Sequence, residues 1–174
     1  GDPESDADRF EAVLGEAIEN GEVTDAVIAK SDAEAQALWA MRDDVGHPRR
    51  FGPAIGYDVS LPAAKMGGYI DALRARVRQR WPEGHFFVFG HLGDGNLHLV
   101  GVVGSDAPET RAELSAMIYE PLAALGGSVS AEHGIGRQKK AYLRFSRNDT
   151  EVAMMRRLKQ AFDDFLHRMP FYGL

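Results

Sequence analysis

The sequence predicts an α+β domain in which helices cover one face of a mainly antiparallel sheet. Three observations carry that expectation. Apolar residues recur at helical spacing in some segments and form short β-branched or aromatic runs in others, the two kinds alternate along the chain, and two strand-like runs flank a Gly-rich turn near the middle. At 174 residues, with 44% hydrophobic and 26% charged, residues 1–174 fit one compact domain, able to bury roughly 70% of its unfolded surface without a disulfide or structural metal.

The elements follow in order. Phe10, Val13, Leu14 and Ile18 mark a first helix over 6–19, stopped by Asn20-Gly21. The β-branched run 23–29 reads as a strand, and Ser31 caps a second helix ending near Asp44, with Glu34 as its capping-box partner. After a Gly/Pro loop, 54–61 is a strand, and a helix runs from Pro62 to about Arg80. Strands 85–90 and 97–103 form a hairpin around Gly93-Asp94-Gly95-Asn96. A helix over 108–125, interrupted at Pro121, ends at Gly126-Gly127 before a short strand 128–131. Helices over about 138–145 and 149–166 complete the chain.

Composition excludes several classes. With no cysteine there is no thiol redox motif, Cys-type zinc finger or iron–sulfur cluster. No run of about 18 apolar residues is present and the first thirty residues are acidic, so a cytoplasmic protein, or one peripheral to a membrane, is expected. Residues 1–41 carry a formal −9 and residues 42–80 a formal +4, which is not a uniformly basic nucleic-acid face. Arg74, Arg76, Arg78 and Arg80 step around a helix axis as a solvated face, and no nucleotide fingerprint occurs. The opening turn and the apolar ending Met169-Pro170-Phe171-Tyr172-Gly173-Leu174 suggest a fragment that docks on a further domain.

Chemistry concentrates in two motifs. In Gly90-His91-Leu92-Gly93-Asp94-Gly95-Asn96-Leu97-His98, two imidazoles stand at the mouth of the hairpin, where facing strand ends approach to about 5 Å and two nitrogens come within reach of one ion. Asp94 is read as turn chemistry rather than as a ligand. In Ser130-Ala131-Glu132-His133-Gly134-Ile135-Gly136, a carboxylate and an imidazole are adjacent before two glycines. Two histidines and one carboxylate leave coordination positions open, as catalytic metal sites do. Successive residues of a regular strand face opposite sides, so Glu132 and His133 share a site only if the chain turns there. His47, His85 and His167 lack such a setting and read as structural, and Arg42 alone reads as a solvated helix end.

These two motifs, with Leu38-Trp39-Ala40-Met41-Arg42 and Tyr57-Asp58-Val59-Ser60-Leu61-Pro62, resemble the C-terminal domain of FAD-linked oxidases, the family of D-lactate dehydrogenase, the glycolate oxidase flavin subunit and D-2-hydroxyglutarate dehydrogenase. The resemblance covers about residues 1–165. It implies a ferredoxin-like core and the metal-binding, substrate-side cap of an enzyme that oxidises a D-2-hydroxy acid to the 2-oxo acid, its FAD held mainly by an N-terminal domain of the same chain. It also implies His91, His98 and Glu132 as ligands of a divalent metal, zinc before manganese or iron. In the same terms His133 is the base, Asn96 lines the flavin side, and Arg42 binds the substrate carboxylate. Where hydroxyglutarate-type members carry Thr and Lys for a second carboxylate, this sequence has Gly46 and Gly56, with Arg49 or Arg50 as substitutes. A zinc-dependent hydrolase and a non-catalytic ferredoxin-like interaction module are the alternatives. The electron acceptor and the oligomeric state stay open, a homo-oligomer among the expectations.

Overall fold

The computed structural model describes residues 2–168. They divide into two compact units, Gly1–Val45 and Gly46–Leu174. In the first unit, α1 (Pro3–Glu19) ends where Gly21 adopts a positive φ of 73°, and α2 (Asp32–Asp43) begins at Ser31, whose Oγ accepts the Glu34 N–H at 3.3 Å. Glu34 returns a carboxylate oxygen to the N–H of Lys30 at 2.7 Å, one residue before the expected capping-box donor. The run 23–29, expected as a strand, is irregular. Among the described residues no strand lies beside it to accept its backbone hydrogen bonds, and β propensity without a ladder partner does not make a strand.

The second unit contains β1 (Ala54–Ser60), α3 (Ala63–Arg80), β2 (His85–His91), β3 (Asn96–Val102), α4 (Pro108–Tyr119), the single turn α5 (Leu122–Leu125) and α6 (Asp149–Arg168). The sheet is antiparallel in the order β1-β3-β2. The segment expected as a strand over 128–131 is reduced to a bridge, Ser128 exchanging two backbone hydrogen bonds with Ser60 at 2.7 and 3.0 Å. Counting that bridge as a vestigial fourth strand beside β1 gives the β-α-β-β-α-β succession of a ferredoxin-like unit. Residues 138–145, expected as an α-helix, form only a 3₁₀ turn over Lys140–Phe145, the tighter form that short segments adopt.

Alternation along the strands separates two faces. Ile55, Tyr57 and Val59 of β1 and Leu97 and Leu99 of β3 turn inward against Met66, Tyr69, Leu73 and Val77 of α3 and Leu114 and Ile118 of α4. The other face carries, in successive cross-strand rows, Ala54–Val102–His85, Gly56–Val100–Phe87, Asp58–His98–Phe89 and Ser60–Asn96–His91. A 3₁₀ turn, His47–Phe51, covers its first rows, with the Phe51 ring 4.5 Å from His85 and 5.5 Å from Phe87. His47 and His85 therefore belong to an aromatic cluster.

Packing on the helical side is tight enough to test. A Cβ on Gly101 would lie 2.5 Å from Leu114 Cδ2, and Leu114 is fully buried. Gly101→Ala should cost about 1–3 kcal/mol by overpacking and Leu114→Ala about 2–5 kcal/mol by cavity formation. In urea unfolding the double variant should lose clearly less than the sum, because each change relieves the other; additivity would show that the two residues do not compete for space.

The core also buries three phenols. The Tyr57 hydroxyl lies 3.1 Å from Ser115 Oγ, Tyr69 donates to the Ile118 carbonyl at 2.8 Å, and the Tyr119 ring packs 5.6 Å from Tyr57. Burial pushes the Tyr57 hydroxyl up to about 12 and raises those of Tyr69 and Tyr119 as well. Their contribution to stability is then complete below the ordinary value of 10.0 and lost as pH rises from there towards 12. In an alkaline titration, tyrosinate absorbance from these rings should appear together with loss of the helical circular-dichroism signal rather than before it.

Candidate metal centre

The centre is built on the open face of the sheet. His98 stands in the middle of β3, paired across the ladder with Asp58 on β1 and Phe89 on β2. Its imidazole is partly buried, and burial lowers its pKa from 6.5, an effect that attraction to Glu132 and Asp58 opposes without reversing. His98 is thus biased towards the neutral form that ligates metals. His91, at the end of β2, sets its ring edge-on to His98 with centroids 5.4 Å apart.

Two glycines shape the hairpin between them. Gly90 has φ +153°, and a Cβ there would come within 2.3 Å of the Asn96 carbonyl oxygen. Only glycine lets β2 approach β3 so closely immediately before His91. Gly95 turns the chain in the left-handed region, and its carbonyl accepts the Leu61 N–H at 3.0 Å, fastening the turn to the end of β1. Asp94 lies in the 3₁₀ turn Leu92–Asp94, in keeping with its reading as turn chemistry.

The second motif reaches the same place from residues 130–134. Glu132 Oε1 lies 3.1 Å from His98 Nε2 and 3.6 Å from His133 Nε2, and the His133 ring stacks on His98 at 5.6 Å. Donor atoms of Asp58, His98, Glu132 and His133 all fall within 4.8 Å of one another. A tetrahedral ion with bonds of about 2.0–2.1 Å spaces its donors by roughly 3.3 Å, and the His98–Glu132 and Glu132–His133 distances of 3.1 and 3.6 Å bracket that value. The geometry brings His98, Glu132 and His133 together most closely, with His91 beside His98.

Asp58 is the residue that sequence reasoning missed. Its side chain is 1% exposed and accepts the N–H groups of Ala131 at 3.0 Å, Glu132 at 3.3 Å and His133 at 3.1 Å. The Ser130 hydroxyl donates to it at 2.9 Å, and Lys139 Nζ makes an ion pair at 3.1 Å. Burial works against ionisation, but these donors outweigh it and hold the carboxyl well below the usual carboxylate range. All of these contacts fall on Oδ2, while Oδ1, among the described residues, accepts only the Glu132 N–H, at 3.3 Å, so one oxygen does the anchoring. The available signal was a charged residue in the middle of the otherwise apolar run Ile55–Leu61.

The remaining candidates are placed as follows. Asn96 faces the same side as His98, between Ser60 and His91, and is 3% exposed; its Oδ1 is buried without a hydrogen-bond partner among the described residues. Arg42 ends α2 in the first unit, 2.9 Å from Asp43 and with its guanidinium 5.6 Å from the centre of the Trp39 ring. Arg80 pairs with Glu113, and Arg76 donates to the Met117 carbonyl, which ties the basic face of α3 to α4. His167 has only its backbone described, and the ending 169–174 lies outside the described residues.

The fold and the site together define an α+β domain whose open sheet face gathers imidazoles and a carboxylate around one point. The chain belongs to the family of FAD linked oxidases, C-terminal domain, which it matches over residues 1–164, through both units. It is 31% identical over 166 residues to a D-2-hydroxyglutarate dehydrogenase of Stutzerimonas stutzeri (strain A1501), covering 92% of this chain and 36% of that protein. It is 36% identical over 159 residues to the mitochondrial D-2-hydroxyglutarate dehydrogenase of Rattus norvegicus, covering 91% of this chain and 29% of that one. A Xanthomonas citri pv. viticola D-2-hydroxyglutarate dehydrogenase is 35% identical over 155 residues, covering 86% and 33%. The chain therefore spans about a third of the length of the curated relatives it matches. No described helix is long and apolar enough to cross a membrane.

The hairpin gives a direct check on this construction. Gly90→Ala should open the β2–β3 pairing, raising amide exchange over residues 90–97 and lowering stability by about 1–3 kcal/mol. Gly93→Ala, where a Cβ meets nothing within 4 Å, should leave both unchanged.

Proposed function

We propose that this chain is the metal- and substrate-binding cap domain of a flavin-dependent dehydrogenase that oxidises a D-2-hydroxy acid to the 2-oxo acid. The observation that carries the reading is the convergence of His98 Nε2 and Glu132 Oε1 to 3.1 Å, with the His133 imidazole against both, in a chain of the FAD-linked oxidase family. His91, His98 and Glu132 would hold the ion, zinc suiting two nitrogens and one carboxylate, with manganese or iron as the alternatives. When bound, the ion supplies charge that acidifies the substrate hydroxyl, and FAD, held mainly by a separate N-terminal domain, supplies the hydride acceptor.

The residues of this chain do the rest. His133, 63% exposed at its side chain, accepts the hydroxyl proton and returns it to solvent, while the hydrogen on C2 leaves as hydride, so that one proton and one hydride are lost as the 2-oxo acid forms. Arg42 grips the substrate carboxylate with two parallel N–H donors, a geometry that lysine does not reproduce. Asn96 lines the flavin and substrate side with its unpartnered Oδ1.

The test has two arms. Zinc titrated into this chain should bind with one-to-one stoichiometry and fail to bind His98→Ala; absence of binding by the unmodified chain would overturn the metal assignment. In the full-length enzyme, D-2-hydroxy acids should bleach the flavin, and His133→Ala should lower kcat by about 10²–10⁴-fold. An unchanged kcat would remove His133 from its role as base.

A further inference from the structure

The least expected feature of the centre is that two adjacent residues, Glu132 and His133, serve one point. A strand would send them to opposite sides, and the 130–134 segment has too little regular structure of its own to fix any other arrangement. Something outside it must hold it, and the hydrogen bonds name the holder. Three successive backbone N–H groups, of Ala131, Glu132 and His133, converge on the Asp58 carboxylate. This is the concave arrangement of amides that captures anions, with the anion supplied by a strand more than seventy residues earlier.

The anchor is closed from its far side. Lys139 Nζ donates to the Asp58 carboxylate at 3.1 Å, to the Asp58 carbonyl at 3.0 Å and to Ser130 Oγ at 3.0 Å, and the Lys139 side chain is 13% exposed. Ser130 Oγ also lies 3.0 Å from the Gly134 carbonyl oxygen, so the same group of atoms touches both ends of the bend. Because Asp58 is the cross-strand partner of His98, the bend is fixed in the same sheet row as the imidazole that Glu132 must meet.

We propose that Asp58, neutralised by Lys139, is a positioning residue whose carboxylate, through Oδ2, bends residues 130–133 so that Glu132 and His133 converge on His98, and that metal affinity depends on this anchoring. This deepens the reading of the centre as a divalent-metal site and rests on it. The bend solves a problem that ligand identity alone does not, namely how a loop delivers a carboxylate to a point set by a rigid hairpin.

The experiment titrates zinc, and separately cobalt, into the unmodified chain and into Asp58→Asn, Lys139→Met and Ser130→Ala. Asparagine at 58 keeps the shape and one acceptor but loses the charge. Asp58→Asn and Lys139→Met should bind zinc about 10–100-fold more weakly, the range expected when the support behind metal ligands is removed. Their cobalt absorption spectra should shift, a change in coordination geometry that lower stability alone would not produce. Wild-type affinity and an unaltered cobalt spectrum in Asp58→Asn would overturn the proposal while leaving the metal site standing. Failure of the unmodified chain to bind either metal would overturn the site itself, and the positioning role with it. If Asp58→Asn does not fold, Ser130→Ala decides: weaker zinc binding at an unchanged melting temperature supports the anchor, and unchanged binding refutes it.

Discussion

A carboxylate almost sealed from water stays ionised only if the protein replaces the water it has lost, and around Asp58 the replacement is complete enough to dictate local architecture. Backbone amides from three consecutive residues, a hydroxyl and an ammonium group all turn towards one side chain. The amides of 131–133 are not available for a sheet ladder, which is why the expected strand after Gly127 leaves the sheet after a single bridge at Ser128. The interruption in the sheet and the bend that presents Glu132 therefore have one cause.

The same economy separates the two faces of the sheet. The inner face is apolar and filled by α3 and α4, so it contributes rigidity and little chemistry. The outer face holds the polar rows, and its central row combines the anchor, the partly buried imidazole and an aromatic wall in Asp58, His98 and Phe89. Partial burial lowers the pKa of His98 while His133, stacked on it, remains open to solvent. The two stacked rings thus sit at different depths, 15% and 63% exposed at their side chains.

Local signals in the sequence were sufficient where structure is local. The hairpin, the helix following Pro62 and the cap at Ser31 each depend on residues within a few positions of one another, and each is found close to where spacing puts it. The stretch 23–29 has the composition of a strand, but whether it forms one depends on a neighbour that composition does not supply. The centre was legible as a motif with two histidines and a Glu-His motif, yet the motif at 130–136 did not reveal how its neighbours turn to one side. That answer lies in Asp58 and Lys139, far apart in sequence and individually unremarkable, whose meaning comes from contact. Spacing likewise placed His91 and His98 side by side but gave no hint that His133 would stack on His98 at 5.6 Å.

The end of β1 holds both halves of the centre by neighbouring rungs. Ser60 bonds to Ser128, which leads into the Glu132 segment, and Leu61 bonds to Gly95 in the turn between the two hairpin histidines. Two segments more than thirty residues apart are thereby hung from adjacent residues at one strand end, so a substitution that displaced Ser60 and Leu61 would be felt on both sides of the imidazole–carboxylate pair.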